Sequence, residues 1–252
     1  MTETKRRQRG NARADRRAKR ERSTRASVPF ITRRVPTFEL ASEEVLALIE
    51  NNADTVLETI GIDFRDDPLA LDLLKQAGAS VEGERVRFPK GMCREIISSS
   101  APAEFTQHAR NPDRSVRIGG NHTVLVPAYG SPFVHDLDKG RRYATLSDFE
   151  NFTRLAYMSP SLHHSGGTLC EPVDLPVNKR HLDMIYSHLR WSDKPFMGSV
   201  THPDRAQDTV DMAKIAFGDD FLDTHCAITS LINANSPMTF DATMLGAARV
   251  YA

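Results

Sequence analysis

The chain has little cysteine: Cys93, Cys170 and Cys226 are spread far apart over 252 residues, and no CxxC pair exists. That argues against a disulfide framework or a zinc ribbon and fits a reducing, cytoplasmic compartment. No apolar run approaches the roughly 18 to 20 residues of a membrane helix, so no membrane association is expected. The amino-terminal stretch lacks the apolar region of a secretory signal. It is Arg-rich like a transit peptide, but it carries acids and has almost no apolar face before Val28, so targeting is not expected either. No strand-like segment runs into a GxGxxG or Walker-type phosphate loop, which weighs against dinucleotide folds. HExxH and paired-acid patterns are also missing. With them goes the usual machinery for metal-dependent hydrolysis, and no metal site is expected.

What is present is ordinary in bulk, 40% hydrophobic and 26% charged. The zero net charge hides an asymmetry. Residues 5–34 hold 13 Lys and Arg, and residues 1–34 only three acids, which leaves 20 basic and 30 acidic side chains in residues 35–252. Residues 1–28 have no apolar period and are expected to form a disordered basic tail. It carries no interleaved aromatics, so a solvated tail is favoured over a nucleic-acid arm.

Residues 29–121 read as a small α+β region. Apolar residues recur at helical spacing from Ser42 to Thr59, with Gly61 as the stop, and a second helix spans Pro68 to Gln76. A turn at Glu82-Gly83 separates short strands, and Gly91 to Ser99 is a third helix. Glu104–His108, Ser115–Ile118 and His122–Val126 are strand-like. From residue 122 a rhythm begins. Strands are expected at Thr123–Ala128, Leu162–Leu169, Pro195–Val200 and Ala227–Ile232. Helices are expected at Leu146–Met158, Val177–Trp191, Asp204–Phe217 and Ala242–Tyr251. The last three strands recur every 30 to 35 residues, as βαβ units do. Without a phosphate loop, the pattern points to a (β/α)8 TIM barrel of the α/β class. Eight units need about 250 residues, so residues 122–252 make the first half of one. No C-cap glycine, proline or polar tail follows Tyr251, so the last helix reads as cut rather than finished.

In such a fold the functional residues follow the strands. Tyr129, Gly130, Ser131, Phe133 and Asp136 follow the first; Gly166, Gly167, Thr168 and Glu171 the second; Ser199, Thr201 and His202 the third; Asn233, Asn235 and Ser236 the fourth. This set is rich in hydroxyls, amides and small residues, and suits orienting a small molecule. Tyr129 and Phe133 either offer π faces to a cation or belong to the core. Asn233 and Asn235 either bond a substrate or satisfy the turn before Pro237. His202 either takes part in catalysis or caps the next helix. His163 and His164 point to opposite faces of a strand and cannot chelate one metal together. Cys170 and Cys226 read as small buried apolar residues. The Gly166-Gly167 pair reads as room for close backbone packing or a bend.

Several segments together resemble the trimethylamine methyltransferase family. They are Gln76-Ala-Gly-Ala-Ser-Val-Glu-Gly-Glu-Arg-Val-Arg-Phe-Pro, Ala109-Arg-Asn-Pro, Pro127-Ala-Tyr-Gly-Ser-Pro-Phe-Val-His-Asp, Tyr143-Ala-Thr-Leu-Ser-Asp-Phe and Asn233-Ala-Asn-Ser-Pro-Met-Thr-Phe-Asp. The resemblance implies a TIM barrel moving a methyl group from a methylated amine, trimethylamine or a quaternary amine such as glycine betaine, to the cobalt of a corrinoid. That cofactor would be carried by a partner corrinoid protein, with none bound directly. Family members are about twice this length, so the chain resembles their amino-terminal half. A homo-oligomer is expected. The family's catalytic positions are not carried over. The expected substrate-binding residues, Tyr129, Phe133, Thr168, His202, Asn233 and Asn235, rest on their places after strands. Two other readings stand beside this one: a non-catalytic truncated fragment, and a barrel enzyme of aldolase or lyase type.

Overall fold

Local capping sets most helix starts. The computed structural model describes residues 28–252, and all but Val28 of the expected basic tail lies outside them. After β1 (Ile31–Thr32), Ser42 Oγ accepts from the Val45 amide at 3.4 Å and opens α1 (Glu43–Thr59). Beyond β2 (Ile62–Arg65), Asp67 does the same for α2 (Pro68–Gln76), whose proline at the first turn gives up a donor the helix cannot use. Strands β3 (Ser80–Glu82) and β4 (Arg85–Arg87) form a hairpin with Gly83 at φ +61°. Helix α3 (Met92–Ser100) leads to β5 (Glu104–Gln107), β6 (Val116–Gly119) and β7 (His122–Thr123). These three and β1 form an antiparallel sheet in the order β1-β7-β6-β5.

The expected polar stretch after residue 128 contains a hairpin, β8 (Phe133–Asp136) and β9 (Gly140–Tyr143), ahead of α4 (Leu146–Met158). Arg142 on β9 grips Asp148 with both terminal nitrogens, at 2.6 and 2.7 Å, and the Thr145 amide and hydroxyl donate to the same carboxylate. Asp148 therefore closes a capping box on α4 and bolts the hairpin to it. Then come α5 (Arg180–Trp191), β10 (Phe196–Met197), α6 (Pro203–Phe217), β11 (Ile228–Thr229), β12 (Thr239–Asp241) and α7 (Ala242–Tyr251). Each of α4, α5 and α6 packs on the helix that follows it. The fold is mixed α/β.

The expected long strands are much shorter. β10 and β11 hold two residues each, the run from Leu162 to Leu169 forms no strand, and the Thr123–Ala128 run keeps only Thr123. In the Leu162–Leu169 and Thr123–Ala128 runs, side chains capture ladder donors. The Leu125 amide donates to His163 Nδ1 at 2.9 Å, and the Gly166 amide to His164 Nδ1 at 2.9 Å. Even so, four segments lie side by side in chain order. His163 N bonds Leu125 O at 3.0 Å and Gly130 N bonds Thr168 O at 2.7 Å. Ser165 N bonds Pro195 O and Met197 N bonds Gly166 O, both at 2.8 Å. β10 then pairs with β11 in parallel, Phe196 opposite Ile228.

β12 was not expected as a strand. It pairs in parallel with β2, Phe240 opposite Phe64, and completes the sheet β12-β2-β4-β3. Phe64 stacks on Phe240 with ring centroids 5.6 Å apart over a core of Ala70, Ala79, Val86 and Phe88. Arg249 on α7 reaches Asp67 at 2.8 Å, so the end of the chain is tied to the cap of α2.

One buried amide joins the antiparallel sheet to the parallel segments. Gln107, fully buried at the end of β5, donates to Phe196 O at 2.9 Å and Ala227 O at 3.2 Å. Its Oε1 accepts from Thr229 Oγ1 at 3.2 Å and from His164 Nε2 at 3.1 Å. Replacing it by leucine leaves two carbonyls, a hydroxyl and a ring nitrogen unpaired. Gln107→Leu is expected to cost about 3 kcal/mol or more, read as a lower urea midpoint with the slope unchanged.

Candidate functional site

Two glycine-containing turns, Gly166-Gly167-Thr168 and Met197-Gly198-Ser199, meet where the parallel segments end, and the Gly198 amide bonds Thr229 O at 2.9 Å on the next segment. Their closeness requires glycine. A Cβ on Gly167 would lie 2.6 Å from the Tyr129 ring and 3.0 Å from Met197 Cβ, and one on Gly198 would collide with the Tyr251 hydroxyl. Tyr129 thus lies against the Gly167 backbone with 44% of its surface exposed. Tyr251 donates to Ser199 O at 2.7 Å, and burial pushes its pKa up.

Beneath this rim sits a chain of uncharged histidines. His188 on α5 is fully buried, with Nδ1 2.7 Å from Ser165 Oγ and Nε2 2.8 Å from Gly167 O. The carbonyl can only accept, so Nε2 donates and Nδ1 receives the serine proton. His164 likewise accepts the Gly166 amide at Nδ1 and donates to Gln107 from Nε2. Burial lowers both pKa values, His164 to about 3 and His188 to about 4, with the neighbouring His188 as a second cause at His164. Burial also lowers that of His163.

Buried ionisable groups elsewhere are committed to structure. Lys194, ahead of β10, donates to the carbonyls of Ala156, Ser159 and Leu162 at 2.8, 3.0 and 2.6 Å. Burial, and then Arg114, lower its pKa to about 8. It ends α4 by holding that helix's last carbonyls. Cys170 is buried, and its pKa is pushed up to about 12 by desolvation, then by Asp148 and Glu171. A thiol so placed is inert at neutral pH. Glu171 pairs with Arg180 at 2.5 Å.

The six expected binding residues fall into different settings. Tyr129 and Thr168 come together, for Gly130 N bonds Thr168 O and the Tyr129 ring covers Gly167. Phe133 stands on the hairpin, stacked on Tyr143 at 4.8 Å with the Arg141 guanidinium 3.8 Å from its centroid. His202 is the N-cap of α6, its Nδ1 accepting from Asp204 N at 3.2 Å. Asn235 bridges Thr239 through the backbone and donates to Asp241 Oδ2 at 2.7 Å. Asn233 is exposed in the same loop. Tyr251, Gln107 and His188 went unread in the sequence. The Gly166-Gly167 pair and the lone Gly198 were the available signals, since each marks a place where another group comes close.

The rim offers an aromatic face, carbonyl dipoles and hydroxyls, with the nearby carboxylate of Glu171 already paired. It can desolvate and orient a small cation. The pH dependence of stability follows from the histidines. Unfolded, they titrate near 6.5; folded, they stay neutral down to about 4 and about 3. Between those values the unfolded chain binds more protons, so stability rises with pH. Urea midpoints are expected to be level above pH 7 and to fall steadily from about pH 6.5 towards 4; His188→Gln, titrated alongside, should flatten part of that slope.

Residues 6–252 match the family described as Trimethylamine methyltransferase (MTTB). The glycine betaine methyltransferase of Desulfitobacterium hafniense (strain Y51) is 45% identical over 222 residues, 86% of this chain and 45% of that protein. The proline betaine:corrinoid methyltransferase of Eubacterium limosum is 26% identical over 176 residues, 69% of this chain and 35% of that protein. The chain thus spans less than half the length of the curated relatives it matches. With the family match running over nearly all its residues, this chain belongs to the trimethylamine methyltransferase family.

Proposed function

We propose that the chain forms part of an enzyme that moves a methyl group from a quaternary amine to a corrinoid protein. The observation that carries this is the 45% identity, over 86% of the chain, to a glycine betaine methyltransferase. Residues 122–252 are proposed to make the first half of a (β/α)8 barrel, with 29–121 as an added α+β region. Four segments hydrogen-bonded in chain order under consecutive helices support that reading. The rim then corresponds to the carboxyl ends of the strands, where such folds keep their chemistry.

The corrinoid supplies a cobalt nucleophile strong enough to attack a methyl carbon. What remains for the protein is to strip water from the ammonium, aim it and hold it. Tyr129 presents a partly exposed ring whose face attracts a cation without bonding it. Thr168 adjoins it, its carbonyl held by the Gly130 amide at 2.7 Å. An unpaired carboxylate would bind the substrate more tightly than the transition state, in which the positive charge is leaving nitrogen. The Glu171–Arg180 pair removes that hindrance near the rim. An aldolase-type reading finds no support in Lys194, which lies ahead of β10 rather than after it and is held by three carbonyls.

The full-length enzyme, given reduced corrinoid protein, is expected to release the demethylated amine from glycine betaine or another quaternary amine. Failure with every quaternary and tertiary amine tried would overturn the assignment. Tyr129→Leu is expected to raise KM for the amine about tenfold, with a smaller change in kcat.

A further inference from the structure

Helix α1 is amphipathic, but it sits with its apolar side outward. At helical spacing Leu46, Ile49, Ala53, Val56 and the C-cap Ile60 fall on one stripe. No residue of α1 is buried, and Leu46, Ile49 and Ile60 are 48, 58 and 53% exposed. What holds the helix to the body is its acidic side. Arg94 on α3 pairs with Glu50 at 3.0 Å and Asp54 at 3.8 Å, and Lys90 pairs with Glu58 at 3.9 Å. Leu57 packs on the core around Phe64. Helices in proteins draw most of their stability from burying an apolar face, so this stripe calls for a cover.

The borders of the stripe indicate what fits it. On one side the carboxylates of Glu50, Asp54 and Glu58 are answered by Arg94 and Lys90 of the same chain. On the other stand Asn52 and Thr59, and the Thr59 hydroxyl is engaged with Thr55 O at 2.6 Å. A charged partner gains little along so neutral a seam, whereas an apolar stripe with neutral borders matches it. Helix α1 is itself such a stripe. Its charge lies at the ends: Glu43 and Glu44 are exposed in the first turn, and the half-exposed Lys90 side chain stands beside the last. Two copies of α1 laid antiparallel bring the acidic end of each to the Lys90 end of the other, and they oppose their helix dipoles. Ala53, midway between Leu46 and Ile60, marks the crossing point, and its small side chain lets the two backbones approach.

We propose that the α1 stripe is a self-association surface, joining two copies of the enzyme across a two-fold axis that passes by Ala53. The contact is isologous: Leu46 of each copy meets Ile60 of the other, and Ile49 meets Val56. The assignment uses no residue of the rim and stands apart from the reaction the enzyme performs.

Sedimentation of the full-length enzyme tests it. The wild type is expected to form a dimer, or a larger even-numbered assembly built from one. Ile49→Glu seats a carboxylate from each copy in the apolar seam and is expected to raise the dimer dissociation constant about 100-fold or more. In a Cys93→Ser background, Ala53→Cys is expected to give, under mild oxidation, a covalent dimer linked through position 53 of both copies. A monomer at every concentration, a dimer that survives Ile49→Glu, or an Ala53→Cys enzyme that stays unlinked would each overturn the proposal. Shielding of the position-53 thiol from alkylation in a monomer would assign the stripe to the rest of the enzyme, and capture of the wild type by lipid vesicles would assign it to a membrane surface. The thiol measurement stands however Ile49→Glu folds.

Discussion

The four-way bonding of Gln107 is the constraint on which the rest of the chain depends. Strands of two residues offer too few ladder bonds to hold themselves in place. A single carboxamide supplies two donors and two acceptor lone pairs, and here all four are used, on Phe196, Ala227, Thr229 and His164. It fixes the spacing of neighbouring parallel segments from the inside and ties them to the antiparallel sheet. Full satisfaction makes so buried a polar group stabilising, and partial satisfaction would make it a liability.

The histidines extend this network outward under the rim. His164 passes the constraint from Gln107 to the Gly166 amide, and His188 holds Gly167 and Ser165 to α5. Each works because it is neutral: one nitrogen must donate while the other accepts. Desolvation enforces that state, so burial and hydrogen bonding point the same way. The turns above stay uncharged and closely spaced as a result. That suits a family whose proposed substrate already brings a positive charge, and whose reaction removes it.

Tertiary contacts also explain why the expected site residues scatter. Position after a strand is a statement about the end of a sheet, not about direction. Tyr129 and Thr168 adjoin across a real parallel pairing and so come together. Phe133 was carried off by the β8–β9 hairpin, whose anchor is the Arg142–Asp148 pair. His202 and Asn235 are spent on the starts of α6 and α7. The Asn233 to Asp241 segment is instead a connection, leading into β12 and so back to β2.

The helices were legible in the sequence because their signals are local. Ser42, Asp67, Thr145 and Asp241 each cap a helix with a side chain reaching three residues ahead, and spacing of three to four residues marks the buried stripe of α4, Phe149, Thr153 and Ala156. The order of α/β elements and the family resemblance were legible too. Strand extents were not; in the first two expected strands His163 and His164 take amides that a ladder would otherwise use. Nor was β12, since its partner β2 lies far back in the chain. The sequence by itself determined where the helices lie, except that α5 begins at Arg180 rather than Val177, where no side chain caps it, and which glycines must stay small. Only the tertiary structure decided which segments pair, and which residues share the rim. The physical reason is distance along the chain: Gln107 bonds carbonyls 89 and 120 residues away, and no local preference specifies such a meeting.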